Sequence, residues 1–551
     1  MEILGLHYAI WVVLGLYFAG MLLMGWWSKR GIRNQEAYLL GNRRFGWAMM
    51  VMHAFGAGTH PGNVAGVMSQ AVLSGASSIW VSWMWLFGTP FYWIIAPVIR
   101  RMRSLTMADF FRERFGRAAS ILYIIVAATG MIVFLAGVLL ATTRTVQGLM
   151  GKAATDSQIW FFAILFVTTA VFILYSYWGG ILAAIRTDMI QGLMIIALSF
   201  IAIPAALALK EVDGLGGMRA TLAAQDGDLL SLFDPGDFSL TTVLLLSINA
   251  PLTALAFPHL MTVCGAGRTE WEGRVGFTYG NILKRICTVG WCVLGLCWLA
   301  YLINSGSAVH KDAAFGDSIR TLLPPALQGV MLACVLAAAM SSGDAVQVTV
   351  AGLFSQNIYC DYINPQADER QLVRFTRATG LCIALLSLGV AILMRSNLVK
   401  AILDYFNILS VVGISTAMGI LWRRMNTQGM FASTALAGTT LIVTRYILNC
   451  TRDITVGAPI LVGVLAGIAG SLLTKPPKPE VIERFFTKIY VPVGQEEKLE
   501  LPLEQVVPPS KRWVTGAELF IVKPSRQSWV GFVVTLGICL ACVCVMLAIL
   551  Q

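Results

Sequence analysis

Apolar runs of about twenty residues recur along the whole chain, separated by short polar stretches rich in Arg, Lys, Gly and Pro. A run of that length crosses a bilayer as a helix, and only helices or closed barrels satisfy their backbone groups in lipid. The pattern predicts an all-α polytopic membrane protein. Fourteen candidate spans fall near 9–27, 46–74, 78–99, 119–145, 159–177, 187–209, 239–263, 283–303, 325–355, 376–394, 399–422, 430–448, 456–474 and 529–550. Two depart from a plain apolar helix. Span 2 carries Phe55-Gly56-Ala57-Gly58-Thr59-His60-Pro61-Gly62-Asn63, three glycines and a proline at mid-membrane. Such a stretch breaks a helix and frees its carbonyls, unless it makes only a proline kink. Span 7 carries Asn249-Ala250-Pro251, a second expected break. Two broken segments five spans apart are the mark of an inverted repeat in a transporter.

Composition sharpens this picture. Of 551 residues, 57% are hydrophobic and 13% charged, more apolar surface than a soluble protein of this size could bury. The net charge of +11 does not point to nucleic acid, because of where it lies. Lys29, Arg30, Arg33, Arg43 and Arg44 follow span 1. Arg100, Arg101, Arg103, Arg112, Arg114 and Arg117 follow span 3. Arg268, Arg274, Lys284 and Arg285 follow span 7, and Arg423 with Arg424 follow span 11. The other loops are poorer in Lys and Arg. This positive-inside pattern puts odd-to-even loops in the cytoplasm of a plasma-membrane (inner-membrane) protein and both termini outside. The eleven cysteines, mostly within spans, read as small apolar packers. His53, His60 and His259 lack metal-ligand spacing. The Pro-rich, charged stretch from Lys475 to Gln527 reads as a linker or small regulatory element.

Ionisable groups at membrane depth are the candidate chemistry. In span 9, Ala338, Ser341 and Asp344 share a helical stripe, with Gln347 one turn on. Hard oxygens around a negative charge suit a dehydrated small cation. A polar seam between helices would show the same residues. Asp188, entering span 6 after Arg186-Thr187, offers a second carboxylate on an ion path or a charge at a helix N-terminus. Asp404-Tyr405-Phe406-Asn407 in span 11 could line a permeation route or anchor a membrane edge. Trp83, Trp85, Tyr92 and Trp93 could stack on a ring-shaped solute or form an interface belt.

Several stretches together resemble the solute:sodium symporter family, which holds sugar, proline, sialic acid and monocarboxylate symporters. They are Gly179-Gly180 through Arg186-Thr187-Asp188 to Gln191; Ala338-Ala339-Met340-Ser341-Ser342 through Asn357-Ile358-Tyr359; and Pro258-His259 with the Cys264–Arg268 turn. The Arg-Phe-Gly surface helix after span 3 and Leu421-Trp422-Arg423-Arg424 also fit. The resemblance implies a LeuT-like core of two inverted five-helix repeats, spans 2 to 11, within 46–424. Residues 1–45 would add a helix and a cytoplasmic loop, 425–474 two accessory helices, 475–527 a cytoplasmic linker and 528–551 a final span.

The resemblance also implies one sodium ion held by carbonyls of Gly56, Thr59 and Ala338 and by the hydroxyls of Ser341 and Ser342. A second cation would sit near Asp188, Ser341 and Asp344. Asp344 stands where the family usually has serine, so the extra charge would strengthen that site or bind a proton. Asn63 matches a sugar-binding position, with Ser82 and Asn249 near other solute positions. The expectation is a sodium-coupled symporter of a small organic solute working in the lipid bilayer, sugar or sugar acid first, then monocarboxylate or amino acid. A transporter-like membrane sensor and a proton-coupled or uncoupled carrier are the alternatives. An enzyme is not expected, because no loop carries a catalytic cluster.

Overall fold

The computed structural model describes residues 2–28, 40–225, 227–308, 310–396, 398–514, 518–519 and 521–551. Lys29, Arg30 and Arg33 of the first basic cluster lie outside the described residues. The fold is helical, and its only strands among those residues are two short antiparallel hairpins. The first span is α1 (Tyr8–Ser28). Span 2 is two helices, α2 (Trp47–Gly58) and α3 (Pro61–Ser74). Then come α4 (Trp80–Trp83), α5 (Tyr92–Arg101), the surface helix α6 (Met107–Phe115) and α7 (Arg117–Met150).

Spans 5 and 6 fall within one helical element, α8 (Gln158–Phe200), with apolar arms at Gln158–Ile173 and Ile185–Leu207. Beyond it, the Glu211 carbonyl accepts from Asn304 of a later helix at 2.7 Å. The second half continues with α9 (Leu240–Ala256), α10 (Leu260–Gly265), α11 (Glu270–Ser305), α12 (Ala314–Leu322) and α13 (Pro325–Phe354). It closes with α14 (Glu369–Leu393), α15 (Leu398–Leu421), α16 (Thr427–Ile442) and α17 (Arg452–Leu472). Beyond them are α18 (Pro479–Tyr490) and α19 (Arg526–Leu550). Among the described residues nine helices are long and apolar enough to cross a membrane. Breaks and short helices account for the difference from fourteen: Tyr8–Met21, Gln158–Ile173 and Leu240–Ala256 are apolar but shorter.

Both expected interruptions exist, but the second lies further along. In span 2, Thr59 and His60 are extended, and Pro61, which cannot donate a helical hydrogen bond, opens α3. In span 7, Pro251 is carried inside α9, and the helix breaks instead at Phe257-Pro258-His259. Gly88 permits a close approach of its own backbone to this part of α9, because a Cβ there would stand 2.6 Å from the Ala250 methyl. At Phe257 the following proline favours extended backbone, which ends the helix.

Packing puts the broken segments at the centre. α2 lies along α11, α8 along α13, and α9 and α7 both against α15. The basic stretches meet on one face: Arg43 donates to the Gly265 carbonyl at 3.3 Å, Arg101 to Glu270 at 2.8 Å, and Arg114 to the Gly419 carbonyl at 3.1 Å. Two family-like stretches join there, since Asn357 beyond α13 donates to Asp109 of α6 at 2.7 Å and accepts from Thr106 at 2.8 Å. Part of the stretch expected as a linker or small regulatory element, α18 and the residues just after it, is folded onto the same face. Phe485 packs on Phe110, Lys488 pairs with Glu113 at 2.7 Å, and Arg103 donates to the Val491 and Pro492 carbonyls. α19 leans on α5, where Trp93 donates to Thr535 at 3.0 Å.

Lys284 and Arg285 correct the charge reading. The charge pattern groups them with the loop after span 7, at the very start of the candidate span near 283–303. That span begins at Glu270, so both lie near the middle of α11 and are buried.

Candidate functional site

The break in span 2 faces the middle of α13. Ser342 donates from its hydroxyl to the Gly56 carbonyl at 3.0 Å and lies 3.2 Å from the Thr59 carbonyl. The helix stops at Gly58, so both carbonyls lose their usual donors four residues on; Gly56 keeps only the capping bond from the Thr59 amide at 3.2 Å. The Thr59 hydroxyl is buried with no partner in the structure. Gly56 must be small: a Cβ there would stand 2.5 Å from Ser341 Oγ and 3.3 Å from Asp188 Oδ1. Uncharged oxygens of two elements thus converge with one hydroxyl unsatisfied, the donor set a small hard cation takes. Gly56, Thr59, Ser341 and Ser342 are brought together as expected. Ala338 lies buried one turn before them on α13.

Asp188 of α8 reaches the same point. Its Oδ1 accepts from the Ser341 hydroxyl, and its Oδ2 stands 2.6 Å from His53 Nδ1. Both members of the Asp188–His53 pair are buried, and His53 Nε2 has no partner. The spacing of the histidines gave no hint of this, because the two residues meet only when α2 packs on α8. Asp344 is buried three residues beyond Ser341, within electrostatic reach of Tyr17 on α1. Gln191, from the same family-like stretch as Asp188, donates to the Tyr17 hydroxyl at 3.2 Å.

Beside the break lies a narrow cavity of ≈ 40 Å³. Gly58, Asn63, Ser82, Trp85, Lys284 and Arg285 are among its walls, with Phe134, Phe257, Tyr405 and Phe406. Asn63 folds back to cap α3, accepting from the His60 amide at 3.0 Å. The Ser82 hydroxyl bonds Thr288 at 2.9 Å. Asn249 is buried on α9 with its Oδ1 unpartnered, but it does not line this cavity. Of Trp83, Trp85, Tyr92 and Trp93 in span 3, Trp85 alone faces it, stacked on Phe257 with ring centroids 5.1 Å apart. Trp83, Tyr92 and Trp93 are buried elsewhere in the core. Tyr405 and Phe406 line the cavity, whereas Asp404 pairs with Arg445 at 3.0 Å. Lys284 and Arg285 are the wall residues that reading charge by loop concealed.

A bundle of membrane helices with two interrupted segments, and an oxygen cluster where one of them meets a distant helix, defines a secondary transporter. The sodium:solute symporter family model matches residues 38–438, and the chain belongs to that family. It is 26% identical over 484 residues to the osmoregulated proline transporter OpuE of Bacillus subtilis, covering 85% of this chain and 95% of that protein. It is also 26% identical over 502 residues to a sodium/proline symporter of Haemophilus influenzae, again covering 85% and 95%. A solved structure of a sodium-coupled sialic acid symporter, substrate-bound and outward-open, superposes with a TM-score of 0.73 at 18% identity. The match covers 86% of this chain and 99% of that one. The fold is the LeuT-like inverted repeat with flanking helices, and the protein is an integral membrane protein.

Proposed function

We propose that the protein is a sodium-coupled secondary active symporter that imports a small organic solute by alternating access. The observation that carries this is the Ser342 hydroxyl between the Gly56 and Thr59 carbonyls. The cage is split between α2 and α13, so it is complete only when those helices approach. An ion that binds only the assembled cage shifts the population toward that conformer by its differential affinity. Gly56, Thr59, Ala338, Ser341 and Ser342 would hold the sodium. Asp188 and Asp344 would serve a second cation, with His53 competing for Asp188 through its 2.6 Å contact. The core is 46–424, preceded by 1–45, with accessory helices in 425–474, a cytoplasmic segment 475–527 and a last span 528–551. Both termini would lie outside the plasma membrane, with the joined basic face in the cytoplasm.

The cavity beside the break is the solute site, with Asn63 and Ser82 on its wall and Asn249 set back from it. The relatives named proline transporters support an amino acid as much as a sugar or sugar acid. The test is uptake into proteoliposomes under opposed gradients, screened across sugars, organic acids and amino acids. An inward sodium gradient drives accumulation and a potassium gradient does not. Equal accumulation in potassium contradicts the proposal.

A further inference from the structure

Lys284 and Arg285 are consecutive on α11 and only 7% and 1% exposed. Both line the cavity beside the broken helix. Among the described residues lining it there is no Asp or Glu. Tyr92, Tyr405, Cys539 and Cys542 lie within electrostatic reach of Arg285, and Arg285 and His60 within that of Lys284, none of them a carboxylate. Two basic groups side by side in a low-dielectric core repel whenever both are protonated, and each has lost its hydration.

The protein meets part of that cost with backbone carbonyls. Lys284 donates to the Gly58 carbonyl at 2.6 Å, and Arg285 donates from Nη1 to the Ser82 carbonyl at 3.0 Å. Arg285 Nε has no partner, and His259 Nδ1 on the same wall has none either. A lysine carries three donors and an arginine five, so the cavity holds surplus donors and no anion to receive them.

We infer that this cavity binds the carboxylate of an organic acid through Lys284 and Arg285, with the acid's apolar remainder against Trp85, Phe257 and Phe406. The inference rests on the symporter reading and deepens it. A bound carboxylate supplies the missing counter-charge and accepts charge-assisted hydrogen bonds from a fork and a point donor. The aromatic wall excludes water, which strengthens those bonds. The wall offers no acid to receive an ammonium, so an amino acid gains less than its deaminated analogue. A neutral sugar leaves both cations uncompensated. Lys284 also grips Gly58, inside the stretch whose Gly56 and Thr59 carbonyls face Ser342. Solute and ion therefore act on one unwound segment.

The test is stabilisation of the purified full-length protein in sodium and in potassium. The probes are cyclopentanecarboxylate, propionate and benzoate, their amides, L-proline and galactose. Removing one partner of a buried charge pair costs binding about tenfold or more. The expected result is that at least one acid binds about tenfold or more tightly than its amide. Lys284→Gln and Arg285→Gln lose that preference, and Arg285→Lys keeps part of it. Because the acid–amide comparison is made on the unaltered protein, misfolding of a variant does not decide the matter. No binding by any acid, or an amide, proline or galactose binding as well as the best acid, overturns the inference. Acid binding that is equal in sodium and potassium leaves it standing and instead removes the sodium coupling.

Discussion

Gly56→Ala probes the cage with one methyl group. The new carbon would sit 2.5 Å from Ser341 Oγ, about 0.9 Å inside ordinary contact, and 3.3 Å from Asp188 Oδ1. Both are short side-chain atoms hydrogen-bonded to each other, so neither swings away freely. α2 and α13 must separate by a large part of that ångström. Oxygen ligands stand at about 2.3–2.6 Å from calcium, an ion close to sodium in size, so such a gap opens the shell. Overpacking of this kind costs about 1–3 kcal/mol. If the strain is felt chiefly in the ion-bound conformer, sodium affinity falls by roughly 5- to 150-fold at 1.4 kcal/mol per decade. The assay is a sodium titration of stabilisation and of uptake, with Gly389→Ala as control, because a Cβ at Gly389 meets nothing within 4 Å. An unchanged sodium midpoint in a folded Gly56→Ala protein would refute the convergence of α2, α8 and α13 on one ion.

Further tests address other parts of the molecule. Asp344→Asn is expected to shift the pH profile or ion stoichiometry of uptake, measured as charge moved per solute; both unchanged would leave Asp344 structural. Asp317, outside the spans on α12, has its carboxyl raised to about 6 by burial, opposed by Arg320 and His310. The folded state holds that proton more tightly than the unfolded chain, so stability falls as pH rises from about 4 to about 6. Asp317→Asn should raise the melting temperature at neutral pH and leave it unchanged near pH 4; equal shifts at both would be inconsistent with this. The Glu270 carboxylate binds Arg101, Arg274 and the Val493 amide, tying the 491–496 segment to the core. Glu270→Gln should speed tryptic cleavage at Lys498, and an unaltered digestion rate would show that the segment is held by its other contacts.

The helical membrane architecture was legible because bilayer thickness writes itself as apolar run length. The break in span 2 was equally plain, since three glycines around Pro61, which lacks the amide donor a helix interior needs, weaken the helix there, and it stops at Gly58. Ser341 was legible from the polar stripe it shares with Ala338 and Asp344, whereas Ser342 entered only through family likeness, as no local rule tells a cage hydroxyl from one that bonds its own helix. The second break was misplaced because proline marks a possible interruption, whereas Pro251 is carried inside α9 and the backbone becomes extended only at Phe257, before Pro258. His53 was passed over because its partner lies 135 residues away. Lys284 and Arg285 were misread because α11 starts thirteen residues earlier than hydropathy indicated, and those residues carry enough charge to hide it. Helix starts set by capping, here by Thr269 and Glu272, leave a weaker trace than apolar length.

Sodium coupling requires that the backbone of the broken helix and the hydroxyls of α13 form one ion site. Direct binding of radioactive sodium to the purified protein tests this without knowing the solute. The unaltered protein should bind sodium saturably, and Ser341→Ala with Ser342→Ala should abolish saturable binding while the protein remains folded. Retention of full sodium binding by that double variant would contradict the claim.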